Sequence, residues 1–182
     1  MARKKTILTD SHTRDIATSW ARERPDLNPT DYLLPIYLIR IGRIVERMGD
    51  HKWKRMFGLG GAEIRVLFAL RRAGGDFARR PTDLFRALLV TSGAITKKVD
   101  RLATMGLVER RPDPANLGGF LIHLTEQGRR VADEAVASLA DASILSEGRI
   151  SLSMEERQLM VRLCERILLD FEADPEIGEL LE

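Results

Sequence analysis

The sequence predicts a mainly α protein with one small β-hairpin, an α+β chain of 182 residues. Three observations lead there. Apolar residues recur at spacings of three and four over several long stretches, the signature of amphipathic helices. Two short runs at 107–111 and 120–124 flank a loop dense in Pro, Asp, Asn and Gly, which reads as a hairpin. Glycine and proline pairs punctuate the chain between the helical stretches. With 44% hydrophobic and 31% charged residues, there is apolar material enough for a packed core.

Residues 1–10 read as a basic arm. Asp10 or Ser11 caps a helix running to about Arg24, with Ile16, Ala17 and Trp20 on one side. Pro25, Asn28 and Pro29 break the chain, and Asp31 is the expected cap of the next helix. Leu34, Leu38, Ile41, Val45 and Met48 form its apolar stripe, which ends before Gly58. After Gly60 and Gly61, Ile64, Leu67, Phe68 and Leu70 mark a helix over about 62–72, closed by Gly74 and Gly75. Pro81 fits the first turn of a short helix to about Leu88. Thr91 or Ser92 opens another after a tight connection, and Gly106 stops it. The strands 107–111 and 120–124 follow, around Pro112, Asp113, Pro114, Asn116, Gly118 and Gly119. Thr125 caps a helix over 126–148. Ser153 with Glu156 makes a capping box for the last long helix, over about 154–174.

Two helices joined by a tight turn and followed by a hairpin make a winged helix-turn-helix, a fold that sets its second helix in the DNA major groove. At about 100° per residue, Ile95, Val99 and Leu102 share the core side of that helix. Gly93, Thr96, Lys97, Asp100, Arg101 and Thr104 point the other way. Ser92 and the free amides of the first turn suit a phosphate. Gly93 permits close approach, and Thr96, Lys97 and Arg101 reach toward bases and phosphates. Arg110 and Arg111 stand at the base of the hairpin, where they suit phosphates.

The formal charge of +2 argues against a polyanion partner until it is divided. Residues 76–130 carry +4 and residues 131–182 carry −9. The basic part coincides with the helix-turn-helix and hairpin, the acidic part with the C-terminal helices. One cysteine, Cys164, excludes an internal disulfide and a cysteine-rich metal site. It sits between Leu163 and Glu165, a packing context. His12, His51 and His123 are far apart, with no nucleophile–base pair, phosphate loop or metal spacing. The expectation is a non-enzyme without metal or cofactor. No apolar run approaches the roughly 20 residues that span a bilayer, and the basic start lacks a signal-peptide core. The expected location is the cytoplasm, with no membrane partner.

The stretch TSGAITKKVDRLATMGLVERRPDPANLGGFLIHLTEQGR, residues 91–129, closely resembles the recognition helix and wing of the MarR family of bacterial transcriptional regulators. The helix order extends the resemblance over about 31–171. It implies an obligate homodimer whose N- and C-terminal helices interlock, bound to a pseudo-palindromic operator in double-stranded DNA. On that view 31–57 and 125–182 are dimerisation helices, 58–124 the DNA-binding lobe, and 1–30 an arm with an extra helix. Leu139, Ile144, Leu145, Leu159, Leu163, Ile167 and Leu168 exceed what a small lobe can cover and call for a partner surface. One departure stands out. The family's wing carries an Asp followed two residues later by an Arg that enters the minor groove. Asn116 and Gly118 occupy those positions, with Leu117 between them.

The extra helix and SWARERPDLNP at 19–29 resemble the N-terminally extended branch that answers urate and related small anions. That branch holds its ligand with a Trp, an Asp and two Arg, positions that fall on Trp20, Arg65, Lys98 and Arg110. Arg65 in place of an acid cannot accept a ligand N–H. Lys98 lacks the guanidinium fork that grips an oxyanion. Three cations and an indole suit an anionic or aromatic ligand, or packing and phosphate contact with no ligand. The functional expectation is a dimeric sequence-specific regulator, a repressor released by such a ligand. The alternative is a winged-helix protein-interaction dimer with weak or non-specific DNA binding and no ligand.

Overall fold

The computed structural model describes residues 12–141 and 150–181. The expected basic arm, the caps Asp10 and Ser11, and Ile144 and Leu145 lie outside the described residues. In chain order the elements are α1 (His12–Glu23), α2 (Pro29–Phe57), α3 (Gly61–Arg71), β1 (Ala78–Arg79), α4 (Pro81–Leu88), α5 (Ser92–Thr104), β2 (Val108–Pro112), β3 (Phe120–Leu124), α6 (Glu126–Asp141), α7 (Met154–Ala173) and α8 (Pro175–Leu181). This is the mainly helical α+β winged architecture read from the sequence. Two compact units divide within α2, one ending at Arg47 and the other starting at Met48.

In the first unit, α2 starts earlier than its expected cap Asp31. Asn28 Oδ1 accepts from the Thr30 amide at 3.1 Å. Pro29 then takes the first helical position, where its fixed φ suits the turn and its missing N–H costs nothing. Trp20 of α1 packs at 6.2 Å, ring to ring, against Tyr32 of α2.

The second unit holds the core. Leu59, Ile64, Leu67, Leu70, Leu84, Ile95, Leu102 and Ile122 are fully buried there, drawn from α3, α4, α5, β3 and the α2–α3 link. The three-stranded sheet has the order β1-β3-β2, antiparallel throughout, with Ala78 opposite His123 and Arg110 opposite Ile122. β1 has only two residues, too few to show alternation, and the sequence reading missed it. The hairpin register begins one residue later than expected. Leu107 is spent on closing the lobe: its amide donates to Leu102 O at 2.9 Å and its carbonyl accepts from the Thr125 amide at 3.1 Å. Thr125 caps α6 as anticipated, its Oγ1 accepting from the Gly128 amide at 3.0 Å and donating to Gly106 O at 2.7 Å. A Cβ on Gly128 would lie 2.0 Å from Leu107 O, so only glycine lets α6 start this close to the hairpin.

Ser138 of α6 meets the end of α2. Trp53 Nε1 donates to its hydroxyl at 3.3 Å, and Lys52 donates to its carbonyl. The Ser153–Glu156 capping box opens α7 as predicted, with Ser153 N to Glu156 Oε2 at 2.7 Å. α7 ends at Ala173, and Asp174 is extended, at ψ 118°. Asp174 Oδ1 accepts from the Glu176 amide at 2.9 Å and starts α8, a helix beyond the last one expected from the sequence. His123 is buried on β3, with Nδ1 3.8 Å from Asp76 Oδ2. Among the described residues no helix is long and apolar enough to cross a membrane.

Candidate nucleic-acid interface

The helix-turn-helix is built from α4 and α5. Pro81 starts α4 with a fixed φ, and Leu84 fixes its buried side. Its end is a left-handed residue, Leu89, at φ 51°, after which Val90 N donates back to Phe85 O at 3.1 Å. Thr91 then caps α5, its Oγ1 accepting from the Ala94 amide at 3.4 Å. Ile95, Val99 and Leu102 are buried, as their spacing requires.

The opposite side of α5 carries Ser92, Gly93, Thr96, Lys97 and Arg101, all exposed. A Cβ at Gly93 would meet nothing within 4 Å, so the fold itself does not need a glycine there. Thr96 Oγ1 donates to Ser92 O at 3.1 Å, which leaves its lone pairs and methyl facing outward. Lys97 has no acidic partner among the described residues. With Thr91, Gly93, Ala94 and half-buried Lys98 it lines an open hollow of about 470 Å³ at the helix start.

Arg101 has a different setting from Lys97. Its Nη1 donates to Glu63 Oε1 at 2.7 Å and its Nη2 to Gly58 O at 2.8 Å, so its guanidinium is held against the start of α3. Arg110 on β2 pairs with Asp100 of α5 and lies 5.3 Å from the Phe120 ring centroid. Arg111 pairs with Glu109 on the same strand and stays exposed.

The wing loop is closed by its own backbone. Asp113 N donates to Gly119 O at 3.1 Å and Gly119 N to Asn116 O at 2.9 Å. Gly118, at φ 82°, takes a conformation that favours glycine. Leu117 at the tip is fully exposed. Asp113, which the sequence reading took for a turn residue, anchors the loop. Its side chain is 3% exposed and accepts from Arg80 Nε at 2.7 Å and from the Ala115 amide at 2.9 Å. The Arg80 hydrogen bond, seconded by Ala115, holds its carboxyl below the usual carboxylate range, and Arg80 is raised in turn. The paired basic residues 79 and 80 ahead of a helix-starting proline were the only signal for this contact.

Of the candidate ligand residues, Trp20 belongs to the first unit, where Tyr32 is its ring neighbour. Arg65, Lys98 and Arg110 belong to the second. Arg65 is half-buried on α3, and Arg110 is already held by Asp100. Glu63 was not singled out in the sequence, since a lone Glu in a first helical turn reads as a cap. It does cap, accepting from the Gly60 amide at 2.6 Å, and it also holds Arg101.

A family model described as MarR family matches residues 57–116, from the end of α2 through β2 and into the wing loop. The HTH-type transcriptional regulator PecS of Dickeya dadantii (strain 3937) is 30% identical over 131 residues, 70% of this chain and 78% of that protein. The multiple antibiotic resistance protein MarR of Escherichia coli (strain K12) is 26% identical over 137 residues, 72% of this chain and 92% of that one. The crystal structure of a mutant MarR from E. coli complexed with operator DNA shares the fold, with a TM-score of 0.64 at 24% identity over 76% of this chain and 96% of that one. The tight turn before a recognition-type helix, the anchored wing and these likenesses agree: the chain belongs to the MarR family of winged-helix transcriptional regulators.

Proposed function

We propose that this chain works as a homodimeric repressor that binds a pseudo-palindromic operator in the cytoplasm, with α5 in the major groove. The observation that carries this reading is the outward row of α5. Ser92, Gly93, Thr96 and Lys97 are exposed and carry no ion pair, while the same helix is fixed to the core by Ile95, Val99 and Leu102. The Lys97 ammonium, the Ser92 hydroxyl and the lone pairs of Thr96 at a rigid helix start are groups that base edges and phosphates can take. Arg111 and Arg110 would grip the backbone beside the groove. In this reading 58–124 is the DNA-binding lobe, 31–57 and 125–182 supply the dimer, and 1–30 is an appended arm and helix. Exposed Leu38, Ile41 and Val45 on α2, and Leu159, Leu163 and Leu168 on α7, support a second copy as partner, since a solvated monomer gains nothing from them.

The test is gel mobility of the full chain with duplex from its own upstream region over a salt series. A specific complex weakening steeply with salt is expected, and Lys97→Ala, which removes one phosphate contact from each copy of the dimer, should make the slope of log K against log salt shallower by about 1.8. Absence of any specific complex at moderate salt sinks the reading.

Release by a small anionic or aromatic ligand, as in the urate-responsive branch, is the finer part of the proposal. The resemblance offers Trp20, Arg65, Lys98 and Arg110 for it. Lys98 supports it, being half-buried and without an acidic partner among the described residues. A panel of small aromatic carboxylates must both raise the melting temperature and release DNA. The uncharged wing tip favours a second reading, a protein-interaction dimer with weak, sequence-indifferent DNA binding. Equal affinity for upstream and scrambled duplex would select it.

A further inference from the structure

The link between α2 and α3 is gripped from two sides. Gly58 stands in the left-handed region at φ 69°, which leaves its carbonyl to Arg101 Nη2 at 2.8 Å. Two residues on, the Gly60 amide donates to Glu63 Oε2 at 2.6 Å. The Gly61 amide donates to Asp50 Oδ1, and a Cβ on Gly61 would sit 2.7 Å from that oxygen. Glu63 has a second oxygen, Oε1, and it accepts from Arg101 Nη1 at 2.7 Å. Its side chain is 9% exposed, so the ion pair is shielded on one side. The fork of one guanidinium thus joins the last turn of α5 to the first turn of α3 and to the residue that follows α2, and Asp50 of α2 completes the loop. A planar fork with two fixed donors holds an angle as well as a distance.

We propose that Arg101 is a positioning residue for α5 and not a DNA contact, and that Glu63, on α3 and outside the outward row of α5, sets operator affinity through it. This deepens the DNA-binding reading and rests on it. A cation whose purpose is a phosphate needs reach and charge, and Lys97 has both without an acidic partner among the described residues. Arg101 gives both its terminal nitrogens to acceptors inside the lobe. The strap runs to the end of α2, so the presentation angle of α5 is referred to that helix end and not to the helix-turn-helix alone.

The experiment uses the full chain with duplex from its own upstream region and five variants: Arg101→Ala, Arg101→Lys, Glu63→Gln, the double Arg101→Ala/Glu63→Gln, and Lys97→Ala as the phosphate control. Glu63→Gln keeps an oxygen for the Gly60 amide, so the cap and the fold survive. Arg101→Ala should lower affinity about tenfold with the salt slope unchanged, whereas Lys97→Ala makes it shallower. Arg101→Lys should not rescue, because one ammonium cannot reproduce the fork. Glu63→Gln should lose at least about threefold, and the double variant should be no worse than Arg101→Ala alone. In the absence of DNA, amide exchange in residues 95–102 should speed up in Arg101→Ala and Glu63→Gln. Rescue by Lys with a shallower slope in Arg101→Ala would overturn the proposal in favour of a phosphate contact. Unchanged exchange in both variants would overturn the strap itself, and this arm reads it even if the parent binds no DNA, which is the separate failure of the DNA-binding reading.

Discussion

Arg80 and Asp113 are 33 positions apart in sequence and 2.7 Å apart in space, Nε to Oδ2, and this one ion pair ties the wing loop to the first turn of α4. The Asp113 carboxyl is nearly enclosed and lies below its ordinary range because Arg80 and the Ala115 amide favour the charged form. A depressed folded value means that the unfolded chain takes up the proton first. The pair's stabilisation is therefore present above the unfolded carboxylate value of about 3.9 and is lost as the pH falls through the lower folded one. Asp113→Asn should melt below the parent at neutral pH, with the two curves converging below about pH 4. A gap that persists in acid would assign the loss to packing instead of charge.

Gly93 separates folding from recognition. Nothing lies within 4 Å of a Cβ there, so Gly93→Ala should match or exceed the parent's thermal stability, by up to about 1 kcal/mol. Gly93→Leu should also fold, and should lose upstream-DNA affinity about tenfold or more by standing the helix off the groove. Thermal melts and mobility shifts on the same preparations check both halves.

Leu117 stands beside the position where the family's wing has its arginine. The side chain is fully exposed, and its replacement should leave stability within about 0.5 kcal/mol. Leu117→Arg, present on both wings of the dimer, should tighten DNA binding and steepen the salt slope by about 1.8. An unchanged slope would mean that the tip does not reach the duplex.

The α7 face tests the dimer. Leu163 is exposed in the single chain, and burying a leucine is worth about 1.5–3 kcal/mol. Leu163→Glu, present in both copies, should convert the dimer to monomer, or unfold it, at micromolar concentration in sedimentation analysis. A variant that sediments as the parent does would place the interface elsewhere.

Much of the fold was legible because its signals are local. The Thr125 cap, the Ser153–Glu156 box, Pro81 at a helix start and the Ile95, Val99, Leu102 stripe each need only a few neighbouring residues to be read. What escaped depends on distant partners. β1 exists because β3 offers it an edge, not because Ala78 and Arg79 favour extension. Asp113 looks like any turn aspartate until Arg80 arrives from the start of α4. Arg101 sits on the exposed side of its helix, as the wheel says, yet its long side chain turns back to Glu63 and Gly58. Helical periodicity gives the direction of a Cβ, and for arginine the end of the side chain is several bonds away from that.

Leu89 has a further consequence. It is an exposed leucine in the left-handed region, at the bend between α4 and α5, where glycine would be at ease. Holding a β-carbon there costs the folded chain about 1–2 kcal/mol. Glycine would relieve that strain, and it would also let the bend wander among conformations that a leucine is denied. The residue therefore trades durability for readiness: the two helices meet any partner with their mutual angle already chosen, and little freedom remains to be surrendered on contact.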